Sequence, residues 1–283
     1  MEIYEFYGKS DGTTICLGDF DGVHKGHREV FSKAAQKGDW GALLFTHNSK
    51  GEKEILTLSE KLDLLKNLGA KYAIAADFEG ELKEKSPEEF VEILEKIGVS
   101  AAAIGYDYRF GKGASGDAKL LDELCAKKGI EVVVAEAVLD YGEPVKSAKI
   151  RELIKSGNIK AANRLMESPY IVSGRVEKGR GNGKILGFPT ANVAYPENKL
   201  LPKDGVYKGR VNGKAAVVNV GKNPTFDAEK RTVEVHIPGE NRDLYGEQIT
   251  VEFTDKIRDE IKFKSKEELI SQIKRDVESI GGI

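Results

Sequence analysis

Cysteine is nearly absent from this sequence of 283 residues, which contains only Cys16 and Cys125. Neither has a second Cys or a His at the close spacing that a zinc site or a disulfide framework requires. We therefore expect both thiols to be reduced, buried packing residues.

The sequence also lacks an excess of positive charge and any long apolar run. Its formal net charge is -2, whereas nucleic-acid-binding domains are usually basic, so we expect small-molecule partners and no nucleic acid. No apolar run approaches the roughly 20 residues that cross a bilayer. Residues 1–5 lack the basic and apolar regions of a secretory signal. We expect no membrane contact and a cytoplasmic protein.

Short apolar runs alternate with amphipathic stretches in the first half of the chain. The runs that predict strands are residues 15–17, 41–45, 72–76, 101–104 and 132–135. A helix is predicted after Ser86, which fits an N-cap and is followed by a proline at the first helical position. Alternating strands and helices predict a doubly wound parallel sheet of the α/β class.

After residue 166 the pattern changes to short alternating segments separated by glycine, proline and asparagine. The predicted strands are residues 170–176, 206–211, 215–220, 232–237 and 248–253, which is typical of a small antiparallel β-barrel or sandwich. From Ser265, a capping box and apolar residues at helical spacing predict a closing helix. Turn residues near 156–169 predict a boundary between domains 1–160 and 168–283.

A glycine-containing turn, residues 18–27, follows the first predicted strand and leads into a helix. Phosphate binds at such turns because backbone N–H groups and the helix dipole favour an anion. His24 and His27 could donate to one phosphate, as a nucleotidyltransferase acting on ATP requires. The alternative is a tight turn with exposed histidines, but half of the four histidines fall within it. The other candidate ligand-binding residues here are Gly18, Phe20, Asp21, Gly22 and Gly26.

A second glycine-rich stretch, residues 179–192, lies in the C-terminal domain. It lacks the spacing of a P-loop, but its backbone N–H groups could wrap phosphates and Lys184 could add charge. Within Pro189-Thr190-Ala191-Asn192, the Thr190 hydroxyl and the Asn192 amide offer two hard oxygen ligands for Mg²⁺ carrying ATP phosphates. The glycines considered as phosphate-binding residues are Gly179, Gly183 and Gly187.

These motifs resemble those of the prokaryotic bifunctional riboflavin kinase and FAD synthetase family. Further motifs follow in the family's order at residues 205–207, 219–221, 223–226, 234–236, 243–246 and 258–263. The resemblance covers essentially the whole chain and is tightest from Gly174 to Asp276. It implies that riboflavin and ATP give FMN in a C-terminal barrel, and that FMN and ATP give FAD and pyrophosphate in the N-terminal domain. Magnesium would serve both reactions.

The resemblance also implies roles for individual residues. Glu234 would be the general base that takes the proton from the ribityl hydroxyl, although its alternating strand would equally suit an outward-facing charge. His24 and His27 would serve FMN adenylylation, and Asp107 would line the nucleotide site. Asn219 would lie in the kinase site and Arg258 beside the flavin ring, but the charged run around Arg258 could also be a solvated face.

Two segments depart from the family pattern. Phe45-Thr46-His47-Asn48-Ser49 stands where the family has Phe-x-Pro-His-Pro, and residues 146–151 stand where it has a Ser/Thr-rich segment ending in Arg-Ile-Arg. Ser147, Lys149 and Arg151 could still hold a triphosphate, or could form a solvated helix start. Two hypotheses therefore stay beside the bifunctional enzyme: a riboflavin kinase with a nucleotide-binding or regulatory N-terminal module, and a flavin-binding protein without catalysis.

Overall fold

A computed structural model describes residues 2–5, 12–46, 51–179, 181–222, 231–240 and 242–281. The side chains of residues 2–5, Glu81, Asn182 and Lys184 lie outside this description. The chain divides into two compact units, Met1–Ser147 and Ala148–Ile283. Each unit has its own sheet and its own helices.

The first unit is built on one mixed sheet. Its strands are β1 (Glu2–Glu5), β2 (Thr14–Leu17), β3 (Trp40–Phe45), β4 (Tyr72–Ala76), β5 (Ala101–Gly105) and β6 (Glu131–Ala135), and β7 (Leu139–Asp140) pairs with β8 (Glu143–Pro144) in a separate hairpin. Its helices are α1 (Lys25–Ala35), α2 (Leu58–Asn67), α3 (Pro87–Ile97) and α4 (Ala118–Ala126), with a π-helical turn at Phe78–Leu82 and a 3₁₀ turn at Lys112–Ala114.

The sheet has the order β1-β4-β3-β2-β5-β6, and every neighbouring pair is parallel except β1 with β4. Strands β2 and β4 are buried along their whole length, which is why they read as continuous apolar runs rather than as alternating ones. The predicted doubly wound parallel sheet is confirmed. The antiparallel edge strand β1 was not predicted, because its sequence Glu-Ile-Tyr-Glu is too short and too polar to resemble the buried strands.

The strand order creates a crevice between β2 and β5. The chain leaves β2 toward β3 and β4 on one side, then returns to β5 and β6 on the other. Helices that follow β2 and β5 therefore diverge at the carboxyl ends of these two strands, where open α/β sheets bind their ligands. The predicted helix after Ser86 is also confirmed, with Pro87 in its first turn and a reciprocal capping box between Ser86 and Glu89.

The second unit is a closed antiparallel barrel with flanking helices. Its elements are α5 (Ser147–Ser156, which begins one residue before the division), α6 (Ile159–Met166), β9 (Tyr170–Glu177), α7 (Asn182–Leu186), β10 (Ala191–Ala194), β11 (Gly205–Val211), β12 (Lys214–Lys222), β13 (Arg231–His236), β14 (Gln248–Arg258) and α8 (Lys266–Ile280). The strands close in the order β10-β13-β12-β11-β14-β9, which confirms the predicted barrel.

Helix α6 belongs to the barrel unit, although the sequence places the domain boundary within or after it. The Asn163 side chain donates to the Phe253 carbonyl at 2.8 Å and accepts from the Tyr170 N–H at 2.7 Å, tying α6 to β14 and β9. The compact unit therefore starts earlier than the turn residues near 156–169 suggest. The functional domains 1–160 and 168–283 stay a prediction.

Helix α8 closes the second unit, as predicted. Ile280 packs with Val206 and Val217 of the barrel in one buried cluster. Ser265 caps the helix by accepting from the Glu268 N–H at 3.2 Å. The predicted capping box is only half formed, because the Glu268 carboxylate accepts from the Lys264 N–H instead of from Ser265.

A buried ion pair also attaches α8 to the end of β14. The Arg258 guanidinium donates to both carboxylate oxygens of Asp276 at distances of 2.8 to 3.1 Å. The two side chains are 17% and 3% exposed. Removing one partner of such a pair leaves an uncompensated buried charge.

We expect Asp276→Ala to lower the free energy of unfolding by about 3 kcal/mol, because Arg258 would stay buried without its counterion. Chemical denaturation of the full chain measures this change. Asp259→Ala is the matched control: its carboxylate is 64% exposed and pairs with Lys203 and Lys256, so its loss should cost less than about 1 kcal/mol. Equal costs for the two variants would contradict the assignment of Arg258 and Asp276 as a buried structural pair.

Candidate functional sites

The glycine turn after β2 is conformationally strained. Gly22 has a φ of 88°, but Phe20 and Val23 also adopt positive φ values of 49° and 40°. A β-branched residue such as Val23 rarely adopts this conformation, which persists only where surrounding contacts enforce it. Strained backbone of this kind clusters at functional sites, so this turn is a candidate functional site.

Asp21 supplies the contacts that hold this turn. Its side chain is 2% exposed, and Oδ1 accepts from the N–H groups of Ile55 at 2.9 Å and Leu56 at 3.4 Å. Its carbonyl oxygen accepts from the Ser147 hydroxyl at 2.8 Å. The predicted ligand-binding residues Asp21 and Ser147 thus join the turn, the segment before α2 and the start of α5.

His24 and His27 lie side by side at the start of α1. Their rings stack with centroids 3.5 Å apart, and the edge of Phe20 meets His27 at 5.3 Å. His24 is the N-cap residue, and its Nδ1 accepts from the His27 N–H at 3.4 Å. A Cβ at Gly26 would lie 3.2 Å from His24 Cε1, so this glycine makes room for the imidazole itself.

Burial keeps both imidazoles neutral near pH 7. It lowers the pKa of His24 to about 4, against an opposing effect of the Asp107 charge. Burial also lowers the pKa of His27, and the charges of His24 and Lys61 lower it further. A neutral His24 whose Nδ1 accepts must carry its proton on Nε2. His24 can therefore donate from Nε2 to a phosphate oxygen.

Polar residues from three segments lie near the crevice: His24 at the start of α1, Asp107 after β5 and Lys146 before α5. Asp107, in the loop after β5, forms an exposed ion pair with Lys146 at 3.5 Å and acts on His24 through its charge. Phe110 of the same loop has a packing role, since it is buried and its ring lies 5.4 Å from that of Phe90. The loop after β5 therefore contributes Asp107 to the site and Phe110 to the core.

The structure describes only part of the two segments that depart from the family pattern, residues 45–49 and 146–151. Residues 47–49 lie outside the described residues, and Phe45 packs against Phe78 with ring centroids 5.0 Å apart. Lys149 and Arg151 belong to the second unit. Lys149 is exposed and pairs with Glu152 at 3.6 Å, whereas Arg151 is buried. The triphosphate role of Lys149 and Arg151 stays a prediction.

The second site is a row of polar side chains across three neighbouring strands. Glu234 of β13 lies opposite Asn192 of β10 and opposite Asn219 of β12. Directly opposed residues of antiparallel strands share one face of the sheet. Val233 and Val235, each 1% exposed, take the other face. The register alone brings two amides and one carboxylate together.

Thr190 completes this row. Its hydroxyl donates to Glu234 Oε2 at 3.4 Å. The resulting cluster offers hydroxyl, amide and carboxylate oxygens, which are the donors that Mg²⁺ prefers. Within the described ranges, no group of three or more His, Cys, Asp or Glu side chains could hold a metal ion. The oxygens of Thr190, Asn192 and Glu234 fit Mg²⁺, which usually takes few protein ligands and completes its shell with water and substrate phosphates.

The glycine-rich stretch is not the open loop that the sequence predicts, because α7 forms a short helical turn within it. Gly179 accommodates the Asn192 side chain, since a Cβ there would lie 2.8 Å from Asn192 Cγ. A Cβ at Gly183 would lie 3.1 Å from Thr190 Oγ1. Gly187 has a φ of 86° and ends the turn. The glycines therefore let this segment close around Thr190 and Asn192.

His236 is a site residue that the sequence analysis did not single out. Its Nδ1 forms a hydrogen bond with the Pro189 carbonyl at 2.8 Å, and its ring meets Phe188 edge-on at 5.6 Å. These contacts fix the backbone immediately before Thr190. The sequence feature that could have identified His236 is its place in the Glu-Val-His motif, two residues after Glu234.

Three predicted features receive no support from geometry here. The Arg258 guanidinium donates to the Asp276 carboxylate, so its predicted contact with the flavin ring stays a prediction. The Lys184 side chain and the motif at residues 223–226 lie outside the described residues.

Comparison with known proteins identifies the family of this chain. The family model for FAD synthetase matches residues 8–149, and that for riboflavin kinase matches residues 166–282. A bifunctional riboflavin kinase/FMN adenylyltransferase of Bacillus subtilis strain 168 is 32% identical, over 93% of this chain and 90% of that protein. The chain belongs to the bifunctional riboflavin kinase/FMN adenylyltransferase family. A relative of the same name in Escherichia coli strain K12 is 31% identical, over 94% of this chain and 91% of its own.

A solved structure supports the fold of this family member across its length. A crystal structure described as a macrolide-efflux protein from Streptococcus pneumoniae has a TM-score of 0.87 and 30% identity, covering 99% of this chain and 98% of its own. Among the described residues, no helix has both the length and the apolar character needed to cross a membrane. The range of residues that each family model matches contains one of the two polar sites.

The lowered pKa of His24 should make the protein less stable in mild acid. The unfolded His24 takes up a proton near its ordinary pKa of 6.5, whereas the folded one resists protonation until about pH 4. Stability therefore falls as the pH drops from 6.5 toward 4, by up to about 3 kcal/mol for this residue. Denaturant unfolding of the wild type and of His24→Asn between pH 7.5 and 4.5 measures the effect. We expect a shallower pH dependence in the variant, and identical slopes would contradict it.

Proposed function

We propose that this chain phosphorylates riboflavin to FMN in its barrel unit and adenylylates FMN to FAD in its first unit. The observation that carries the proposal is the Glu234 carboxylate, which shares one sheet face with Asn192 and Asn219 and accepts from Thr190. Phosphoryl transfer to an alcohol needs such a carboxylate beside hard oxygen ligands. Both family models are matched, which favours two activities over a kinase with an inactive first unit.

In the kinase reaction, Glu234 orients the terminal ribityl hydroxyl of riboflavin and accepts its proton. The hydroxyl oxygen then attacks the γ-phosphorus of ATP, and ADP leaves. Thr190 and Asn192 are the residues that would hold magnesium, which neutralises phosphate charge when bound. Gly179 and Gly183 let their segment close around Asn192 and Thr190, and the Pro189 carbonyl is fixed by its hydrogen bond with His236.

In the adenylyltransferase reaction, the FMN phosphate attacks the α-phosphorus of ATP and pyrophosphate leaves. This step needs no covalent enzyme nucleophile, because positioning and charge stabilisation suffice. The start of α1 offers backbone N–H groups to the phosphates, and His24 adds an Nε2–H donor. Neutral imidazoles suit this role because two stacked imidazolium rings would repel each other. We expect both reactions to take place in the cytoplasm, with riboflavin, FMN and ATP as the partners.

Glu234→Gln should reduce FMN formation from riboflavin and ATP by about 100-fold or more, because the amide cannot accept the hydroxyl proton. ATP binding should change little, since the amide keeps the size of the side chain. Chromatographic separation of the flavin products measures the rate. Glu252→Gln, a matched change on β14, should leave the rate unaltered. Unchanged turnover of Glu234→Gln would refute the assigned base.

His27→Ala should reduce FAD formation from supplied FMN and ATP by about 100-fold, because a donor to the reacting phosphates is lost. FMN formation from riboflavin, assayed in the same preparation, should persist and is the internal control for folding. Loss of both activities would contradict the separation of the two sites, and full FAD formation would contradict a role for His27.

A further inference from the structure

The segment that leads into α2 is held against the glycine turn. The Asp21 carboxylate accepts from the Ile55 and Leu56 N–H groups, and a Cβ at Gly22 would lie 3.3 Å from the Ile55 side chain. Helix α2 follows directly, with Thr57 as its N-cap residue and Leu58 as its first residue. Residues in the first turn of α2 are therefore placed beside the residues that begin α1.

Lys61 lies in that first turn of α2, and its ammonium group is buried. The residue is 1% exposed, and its Nζ has no hydrogen-bond partner among the residues that the structure describes. The neighbouring Glu60 does not supply one, since its carboxylate accepts from the Thr57 N–H at 2.9 Å in the helix cap. An ammonium group removed from water is strongly unfavourable unless a counterion or acceptor meets it.

His27 presents a second polar atom of the same kind. Its Nδ1 is buried and also has no hydrogen-bond partner within the described part of the chain. The Lys61 charge is close enough to lower the pKa of His27. An anion would satisfy both nitrogens, because it would accept from the Lys61 ammonium and from His27 in the tautomer that carries its proton on Nδ1.

We propose that Lys61 binds a phosphate group of the nucleotide substrates in the first unit, together with His27 and the N-terminus of α1. This assignment rests on the proposed adenylyltransferase function and adds a ligand that neither glycine motif contains. Lysine suits the role because its compact charge can follow a phosphate through the reaction without a fixed geometry. ATP and FMN both carry phosphate, so the source of the bound group must be distinguished by experiment.

A stability measurement separates a ligand-binding lysine from a structural one. We expect Lys61→Met to leave the melting temperature of the ligand-free chain unchanged or higher, because it replaces an unpartnered buried charge with an apolar side chain of similar length. Lys66→Met, an exposed change on the same helix, is the matched control. A clear fall in melting temperature for Lys61→Met alone would show that Lys61 has a structural counterion and would overturn the proposal.

Steady-state kinetics test the binding itself. We expect kcat/KM for FAD formation from FMN and ATP to fall about tenfold or more in Lys61→Met, because a charge-assisted contact to phosphate is lost. Lys61→Arg should recover part of it, and FMN formation from riboflavin should be unchanged in every variant. A rise in KM confined to ATP assigns the contact to the triphosphate, and one confined to FMN assigns it to the flavin phosphate.

The outcomes also distinguish a failure of the Lys61 assignment from a failure of the adenylyltransferase function. Wild-type FAD formation with an equally active Lys61→Met variant would overturn the role of Lys61 and leave the proposed function standing. A wild type that forms FMN but no FAD would overturn the adenylyltransferase function, and the assignment of Lys61 with it.

Discussion

The buried carboxylate of Asp21 is the constraint on which the first unit's chemistry depends. It accepts two backbone N–H groups from the segment before α2, and so holds a turn in which Phe20 and Val23 adopt left-handed conformations. That turn sets the start of α1, and the start of α1 stacks His24 on His27. Asp21 opposes the backbone strain together with the Val23 N–H, which donates to the Phe20 carbonyl at 3.2 Å, and with the packing of Phe20 on Phe31. We infer that Asp21 acts through the protein rather than on the substrate.

The barrel unit places its reactive groups by strand register instead of by a strained turn. Pairing of β13 with β10 and β12 sets Glu234 between Asn192 and Asn219. A shift of one residue in either pairing would move an amide to the apolar face. The glycines before β10 serve this arrangement, since a side chain at Gly179 would collide with Asn192 and one at Gly183 with the Phe188 carbonyl. The two units thus build their polar sites with unrelated architectures.

Much of the architecture follows from sequence pattern, because burial on both faces of β2 and β4 leaves continuous apolar runs, and alternation marks the barrel strands. Two elements were not predicted. Strand β1 is a short polar edge strand, and helix α7 lies among glycines that predict a loop. The motifs also named Glu234, Thr190 and Asn192 as site residues. The structure brings them together through the pairing of β13 with β10 and the hydrogen bond from Thr190 to Glu234.

Residues whose importance arises from tertiary contact could not be found in this way. Lys61 lies in an ordinary amphipathic helix, and only the burial of its ammonium distinguishes it from a solvated lysine. His236 stands on an alternating strand, and its bond to Pro189 depends on the pairing of distant segments. Arg258 reads as a charged surface residue until its contact with Asp276 is seen.

The central claim is that one chain carries both reactions, and product analysis tests it most directly. The purified protein would be incubated with riboflavin, ATP and magnesium, and the flavins separated by chromatography over time. The account predicts that FMN appears first and is then converted to FAD. FMN that accumulates without FAD would contradict an active first unit, and the absence of FMN would contradict the whole assignment.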